Sequence, residues 1–556
     1  MALDTLQAFY DSHELAGLEK QAFAEALLQA LDIKLEGEER LKGQVPESGS
    51  LILVSNHPLG CIEGVAIASV LNRLRPDVKV LANRALSIFT ELQEQFIFID
   101  PLRPKDIKNG AAIKQCRRHL MAGGLLLIFP AGKVSDYQAD KGRVCDDIWH
   151  RLPAQLARSL DCPVLPLFVE GRISRWFTRL GRIHPKLKIL LLFRELLKCR
   201  GMTLEIKTGR VLPASLLSKL KSETAITVYL RLQSYLLQKA YRYDWPEDKS
   251  VTYLPLLEPM APDFLLQEIQ SLPEKQHLLD YKQFSVFYGY QSQLPKVVTE
   301  IARLREAVFR EFNEGSGEPL DTDGFDASYT HLFIFDRDNR KIIGAYRMGQ
   351  TDKLLAENGL DGLYLSRMFN FKPGFINQTA PCLEMGRSFI VPEHRRSFYG
   401  LFLLWRGIGE FVVRHPRYRT LYGTVSISKL YQAHSVDCIH ALSLTPSIDV
   451  APKVPFAIKR HPELTDFLSQ QAKTPNILSI LVQGIEEDGK DIPILMKQYQ
   501  KLGARFYCIG IDNNFNHTPG LLLSVNLPEA PVKALKQYLA EGLDDYLAYD
   551  GKDVTA

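Results

Sequence analysis

Short apolar runs alternate with helical spacing through the first half of the chain. LILVSNHP, VKVLANRA, EQFIFID, GGLLLIFPAG and CPVLPLFVEG each hold four to six strand-forming positions closed by turn residues. Helical patterns separate them, which predicts an α/β domain. A helical stretch over 226–243 ends this half, and DWPEDKSVTYLPLLEPMAPD, rich in Pro and acidic residues, reads as a junction. Beyond it, 332–335 and 341–348 flank the Asp- and Asn-containing turn 336–340, a β-hairpin signal. Further on, Leu401, Leu404, Trp405, Ile408, Phe411 and Val412 recur at the spacing of a core-facing helix. The reading is two α/β domains, 1–245 and 263–556, joined by a linker over 246–262.

Composition narrows the class. At 556 residues the chain is too long for one ordinary core, and 46% hydrophobic with 24% charged residues is a globular balance that excludes disorder. The eight cysteines are scattered without a close pair, so they read as reduced thiols of a cytosolic protein rather than a disulfide framework or a metal knuckle. The start, MALDTLQAFYDSHELAGLEKQ, lacks the basic and apolar regions of a leader. No run approaches the roughly 18 to 20 apolar residues that cross a bilayer, so membrane association is expected to be peripheral. A net charge of +4 gives no argument for nucleic acid. One segment, 171–200, concentrates nine Lys and Arg against Glu195 around Trp176, Phe177 and the apolar 189–193. That mixture suits anionic lipid headgroups or an acidic protein partner; a solvated basic loop is the plainer alternative.

The strongest chemical signal is SNHPLGCIEG, residues 55–64, directly after the strand-like LILV. A histidine at a strand end, oriented by a carboxylate on the next turn, can act as general base toward a hydroxyl because it titrates near neutrality. The sequence here resembles the PlsC-type lysophospholipid acyltransferase family in three blocks and their order: Asn56-His57 with Glu63, the Phe129-to-Ser135 block FPAGKVS, and the hydrophobic Val164-Leu165-Pro166-Leu167. The resemblance covers roughly 30–215. It implies direct acyl transfer, with His57 as base, Glu63 holding it, and Asn56, Gly132, Lys133 and Ser135 at the substrate. Amides around Gly132 or the Lys133 side chain are then the donors to the thioester oxygen. Two departures touch the acceptor: Ala131 stands where the family usually has Glu, and Arg103 follows Asp100 at a distance where a basic residue usually follows directly. Both suit an acceptor without a glycerol phosphate. The His-to-carboxylate spacing also has five intervening residues and Glu rather than four and Asp.

In the second half, Arg305 and Phe309 lie four apart on a helical pattern, Asp323 and Asp326 share a loop, Arg347 closes a strand, and Glu384 and Arg387 lie three apart. Each alone has a plain reading as a solvated residue, a helix cap or an ion pair. In order, they resemble the acyl-homoserine-lactone synthases and the ornithine Nα-acyltransferases, both with the GNAT fold. LMKQYQKLGARFYCIGIDNNF, residues 495–515, is similar to a stretch of the ornithine enzymes. The resemblance implies that Glu384 receives or orients the acceptor amine and that Asp323 and Asp326 hold a cationic side chain. Arg395, Arg396 and the helix start near Gly400 would face a phosphopantetheine phosphate.

Together the two resemblances imply a bifunctional ornithine lipid synthase. The second half would join a 3-hydroxyacyl group from acyl carrier protein to ornithine, and the first would esterify the hydroxyl of that lyso-lipid, on the inner face of the cytoplasmic membrane. The acyl thioester is a substrate, and no cofactor or metal fingerprint is present in the sequence. Glycine, glutamine or lysine could replace ornithine, and coenzyme A could replace the carrier protein. The alternatives are a lysophospholipid acyltransferase with an accessory GNAT-like domain, and a non-catalytic membrane-surface or carrier-binding module.

Overall fold

The apolar runs of the first half all become strands of one sheet. A computed structural model describes residues 2–60, 62–100, 107–171, 195–241, 243, 245, 253–395 and 397–551. Its first compact unit comprises Met1–Tyr243 and Lys459–Lys490, and its second Asp244–Ile458 and Asp491–Ala556. The strands of the first unit are β1 (Lys34–Glu36), β2 (Leu51–Ser55), β3 (Val78–Asn83), β4 (Phe96–Ile99), β5 (Leu125–Ile128), β6 (Asp136–Gln138), β7 (Arg143–Cys145), β8 (Val164–Val169) and β9 (Thr203–Thr208). Seven of them form a sheet in the order β1-β9-β8-β2-β5-β3-β4, parallel except for the β8/β9 pair. β2, β5 and β8 are buried along their whole length. Covered on both faces, a parallel strand has no polar alternation, which explains the unbroken apolar runs LILV and LLLI.

The helical stretch expected over 226–243 is a helix over Glu223–Tyr235, capped by the Ser222 hydroxyl accepting from Ala225 N, followed by a short turn at Lys239–Tyr241. Two helices from the far half of the chain, Pro462–Gln471 and Ile477–Ile485, belong to the same unit. The Tyr229 hydroxyl donates to Ile480 O at 3.0 Å. A Cβ on Gly484 would lie 1.9 Å from that hydroxyl oxygen, so only glycine permits the approach. The sequence reading placed 459–490 in an uninterrupted second domain. Short amphipathic helices carry no mark of which core they join, so the excursion leaves no trace in the residue pattern.

The second unit holds β10 (His277–Tyr281), β11 (Phe284–Gly289), β12 (Thr330–Asp336), β13 (Lys341–Gln350), β14 (Phe369–Phe371), β15 (Cys382–Ile390), β16 (Thr420–Ser426), β17 (Val450–Pro452), β18 (Arg505–Asp512) and β19 (Thr518–Asn526). Eight of these form a sheet in the order β10-β11-β12-β13-β15-β16-β19-β18. The β12/β13 hairpin closes on Asp336, whose carboxylate accepts from the Asp338 and Asn339 amides. The helix Phe398–Arg414 turns Leu404, Trp405, Ile408, Phe411 and Val412 into the core.

β15 and β16 are the only parallel neighbours described in this sheet. They pair from Cys382↔Thr420 to Met385↔Gly423 and then part, although β15 runs on to Ile390 and β16 to Ser426. The parting coincides with an irregularity opposite Ala345–Arg347 in β13, where Arg387 takes a left-handed φ of 53°. An extra residue in one strand bends it away from its neighbour and re-aims a side chain.

Candidate active sites

In the first unit, His57 follows β2 and Glu63 lies in the first turn of the helix Ile62–Asn72. His57 Nδ1 lies 2.9 Å from Glu63 Oε1, and the same oxygen accepts from the Leu59 and Gly60 amides at 2.9 Å each. The longer spacing and longer carboxylate thus fit together. The intervening loop turns through Gly60, at φ 97°, and wraps its own amides around the carboxylate. Burial opposes charge on the imidazole, but the Glu63 carboxylate prevails and holds its pKa above the usual value. For Glu63, burial works upward, while His57, the Leu59 amide and the residue's own backbone amide bring the net shift below the usual carboxylate range. The His57 ring packs on Phe129 at 4.6 Å between centroids. With Nδ1 turned to Glu63, Nε2 is the nitrogen available to an acceptor.

A second layer fixes the histidine backbone. Asp146, 1% exposed, accepts from His57 N at 3.2 Å, from the Ser135 hydroxyl at 2.5 Å and from Trp149 Nε1 at 2.8 Å. Ser135 N donates back to His57 O at 2.8 Å. Arg231 donates to the Asp146 and Asp147 carbonyls and forms a buried pair with Glu463. No motif in the sequence marks Asp146, Trp149, Arg231 or Glu463, because they come from three separate segments.

The other residues expected at this substrate hold the scaffold. The Asn56 side chain donates to Val169 O at 2.9 Å and accepts from Val169 N at 2.7 Å, stitching β2 to β8. Gly132 N donates to Phe129 O at 3.0 Å in a turn with φ 64°, so its amide is engaged. Ser135 is part of the Asp146 network. Lys133, half-exposed, pairs with Asp147. Arg103 and most of the basic segment, 172–194, lie outside the described residues.

In the second unit, a cavity of about 440 Å³ opens where β15 and β16 part. Gly386 to Ile390 line one side and Thr424 to Ser426 the other, with Phe309, Arg347, Glu384, Arg387 and Arg395 on its wall. Glu384 is 2% exposed. Its carboxylate accepts from the Tyr329 hydroxyl at 2.9 Å, the Tyr422 hydroxyl at 2.5 Å and Leu365 N at 3.2 Å. Burial raises its pKa despite these bonds. Phe309 stands edge-on to Phe515 at 4.9 Å. Arg395 lies against Phe312, donates to Ile390 O and pairs with Glu311. Arg396 lies outside the described residues.

Arg305, Asp323 and Asp326 do not line the cavity; they stand behind it in an ion-pair cluster. Arg305 contacts Asp321 and Asp326 at 3.0 Å each. Arg347 reaches Asp323 at 2.6 Å and Asp326 at 3.0 Å. Arg387 is held more loosely, 3.6 Å from Asp321 and 3.8 Å from Asp323. The aspartates also cap a short turn at Gly324–Ala327, Asp323 accepting from Phe325 N and Asp326 from Asp323 N. Three carboxylates face three guanidinium groups, so the cluster has no net charge. This differs from the expected cation-binding pair of aspartates: their charge is already met by arginines that the sequence spreads over more than 80 residues.

Known proteins match both units. An acyltransferase family model matches residues 13–242, and an acetyltransferase (GNAT) domain model matches residues 304–406. The lyso-glycine lipid O-acyltransferase of Phocaeicola vulgatus is 31% identical over 233 residues, 39% of this chain and 78% of that protein. The glycine N(alpha)-acyltransferase of the same organism is 26% identical over 309 residues, 51% of this chain and 94% of that protein. A solved CoA-dependent acyl-homoserine lactone synthase, MesI, aligns with 46% of this chain and 94% of its own at 11% identity, with a TM-score of 0.24, too slight a likeness to carry an argument. The chain belongs to the acyltransferase family. It is a bifunctional acyltransferase, with an acyltransferase domain in its first unit and a GNAT domain in its second. Both relatives are named for glycine where the sequence reading expected ornithine. Among the described residues no group of His, Cys, Asp and Glu could hold a metal, and no helix is long and apolar enough to cross a membrane.

Proposed function

We propose that the chain makes a diacylated amino acid lipid in two steps, with glycine as the preferred acceptor. In the second unit the amino group attacks an acyl thioester lying where β15 and β16 part. The facing strand edges there leave backbone amides and carbonyls for the amide-bearing arm of a carrier-protein or coenzyme A thioester, as an added strand would use them. Arg395, beside the mouth, suits the phosphate of that arm. The acyl group carries a 3-hydroxyl, because the second step needs one.

In the first unit His57 removes the proton of that hydroxyl through Nε2 while the oxygen attacks a second thioester. The C–O bond forms, the C–S bond breaks, and the imidazolium returns its proton to the leaving thiolate. The Glu63 carboxylate stabilises the imidazolium in between. The lipid acceptor brings this step to a membrane surface, where the basic segment is suited to anionic headgroups.

The observation that carries the choice of glycine over ornithine is the neutral Asp321, Asp323, Asp326, Arg305, Arg347 and Arg387 cluster. Its three aspartates, Asp323 and Asp326 included, are already met by arginines rather than open to a second ammonium group, and the glycine relatives support the same reading. Mass spectrometry of lipids from a host lacking aminolipids tests the proposal. Expression should yield a diacylated glycine lipid, and His57→Ala should leave its monoacyl form. An ornithine lipid would overturn the acceptor, and increased phosphatidic acid without any aminolipid would overturn both steps.

A further inference from the structure

The second unit buries three glutamates near the cavity, and two of them are saturated. Glu384 accepts three hydrogen bonds. Glu306 accepts from Arg310 Nε at 2.8 Å, Ser316 N at 3.0 Å, Ser316 Oγ at 2.9 Å and Gly317 N at 2.9 Å, which fixes the loop after the helix Pro295–Arg310. Glu314, held in that same loop, is 5% exposed and lines the cavity. Its side chain has a single, long partner among the described residues, the Ser426 hydroxyl at 3.2 Å. Its backbone is firmly placed: Glu314 N donates to Phe309 O at 2.9 Å, and the preceding Asn313 takes a left-handed φ of 56°.

A buried carboxylate with most of its acceptor capacity unused is costly unless something in the cavity completes it. The nearby Arg387 is loosely held, since its Nε lies 3.6 Å from Asp321 and makes no hydrogen bond. Ser426, where β16 ends, also lies at the parting of the strands that would hold the thioester. We propose that Glu314 is a catalytic residue of the second unit: it receives the α-ammonium group of a free amino acid, with Arg387 opposite to take the carboxylate, and accepts the proton that frees the amine for attack. Glu384, saturated by two tyrosines and an amide, orients the wall around it.

The step balances without any further reactant. Glu314 takes one proton from the ammonium group. The freed lone pair forms the C–N bond as C–S breaks, and the second nitrogen proton goes to the departing thiolate. The products are an amide, a thiol and a protonated Glu314, which loses its proton to solvent. Burial pushes the Glu314 carboxyl up to about 7, against the opposing pull of the Ser426 bond and the Arg387 charge, so it exchanges protons near neutrality. The other charged or titratable groups around the cavity are Arg347 and Tyr346 from β13, Glu384 from β15, His394 and Arg395 beyond β15, Asp512 from β18, and the phenols of Tyr329, Tyr364 and Tyr431.

The inference rests on the second unit being an amino acid N-acyltransferase, and the test separates the two. Purified full-length chain is given acyl thioester and glycine, and N-acylglycine is measured from pH 5.5 to 9. If wild type makes no N-acyl amino acid with glycine or ornithine, the underlying reading fails. If it does, kcat/KM should rise with pH through a limb near 7. Glu314→Gln should lower kcat/KM by about 10² to 10⁴-fold and abolish the limb, with the thioester KM unchanged. Ser426→Ala, which keeps the carboxylate and removes its one hydrogen bond, should move the limb to higher pH. Activity of Glu314→Gln within threefold of wild type, or a limb that persists in it, would overturn the inference and assign the limb to another group. A limb unmoved in Ser426→Ala would overturn it as well.

Discussion

Arg231 holds Glu463 through two parallel hydrogen bonds, Nε to Oε2 at 2.9 Å and Nη2 to Oε1 at 2.8 Å, across 232 positions of sequence. Both are buried, and Arg143 adds a third contact to the carboxylate at 2.7 Å. The remaining Arg231 donors reach the carbonyls of Asp146 and Asp147. A residue encoded after most of the second unit therefore braces the segment that positions His57.

Removing Glu463 leaves a buried guanidinium without its carboxylate. Glu463→Ala should destabilise the first unit by about 3 to 5 kcal/mol, measured by denaturant unfolding of the full chain. The pH dependence follows from the carboxyl shift: burial raises its pKa, but Arg231, Lys141 and Arg143 carry it below the usual range. Its stabilisation is therefore complete above the unfolded value, roughly 4.3, and fades as pH falls through the lower folded value. Wild type should lose more stability than the variant on acidification below about pH 4.5. Equal acid sensitivity would contradict this pairing.

Glu63→Gln separates charge from burial at the histidine. Without the carboxylate, burial dominates and the imidazole pKa should drop below its ordinary value of about 6.5, where the wild-type value lies above it. The base works when neutral, so wild-type O-acylation should rise with pH through a limb above about 6.5. In Glu63→Gln that limb should shift to lower pH while the plateau falls by about 10² to 10⁴-fold, because the charge that stabilised the imidazolium is gone. Initial rates on supplied lyso-lipid measure both, and an unshifted limb would detach Glu63 from the titration.

How far the residues disclosed all this differs by element. LILV, LLLI and the other fully buried parallel strands are legible because burial on both faces leaves no polar alternation to confuse. His57 and Glu63 are legible because strand, turn and helix follow one another within a dozen residues. Asp146 and Glu463 are not, since their roles exist only once distant segments meet. Asp323 and Asp326 are visible as acids, but the arginines that face them, Arg305 and Arg347, are brought there by the fold, a pairing no residue spacing announces. Glu314 carried no signal, because what distinguishes it is the hydrogen bonds it lacks.

The neutral ion-pair cluster makes its own prediction. Asp323→Ala leaves Arg347 with only Asp326 and removes a turn cap. Thermal or denaturant unfolding should show a loss of about 3 kcal/mol or more. The ratio of kcat/KM for ornithine to that for glycine should stay within about threefold of wild type, a difference under 0.7 kcal/mol. A selective collapse of ornithine use would restore Asp323 as a cation receptor.

The parting of β15 and β16 predicts a substitution that divides the two activities. Thr424 lines the cavity just past the last paired residues, Met385 and Gly423. A bulky Thr424→Trp side chain would occupy the opening between the strands without touching the first unit's His57 and Glu63. N-acylation should fall by at least 10²-fold through a raised thioester KM, because the donor loses the strand edges that would align it. O-acylation of supplied lyso-lipid should be unchanged, since its base, orienting carboxylate and bracing network all lie within Met1–Tyr243 and Lys459–Lys490. Parallel loss of both activities in a folded variant would mean that the two acyl transfers share a donor site, and the separation of chemistry by unit would have to be abandoned.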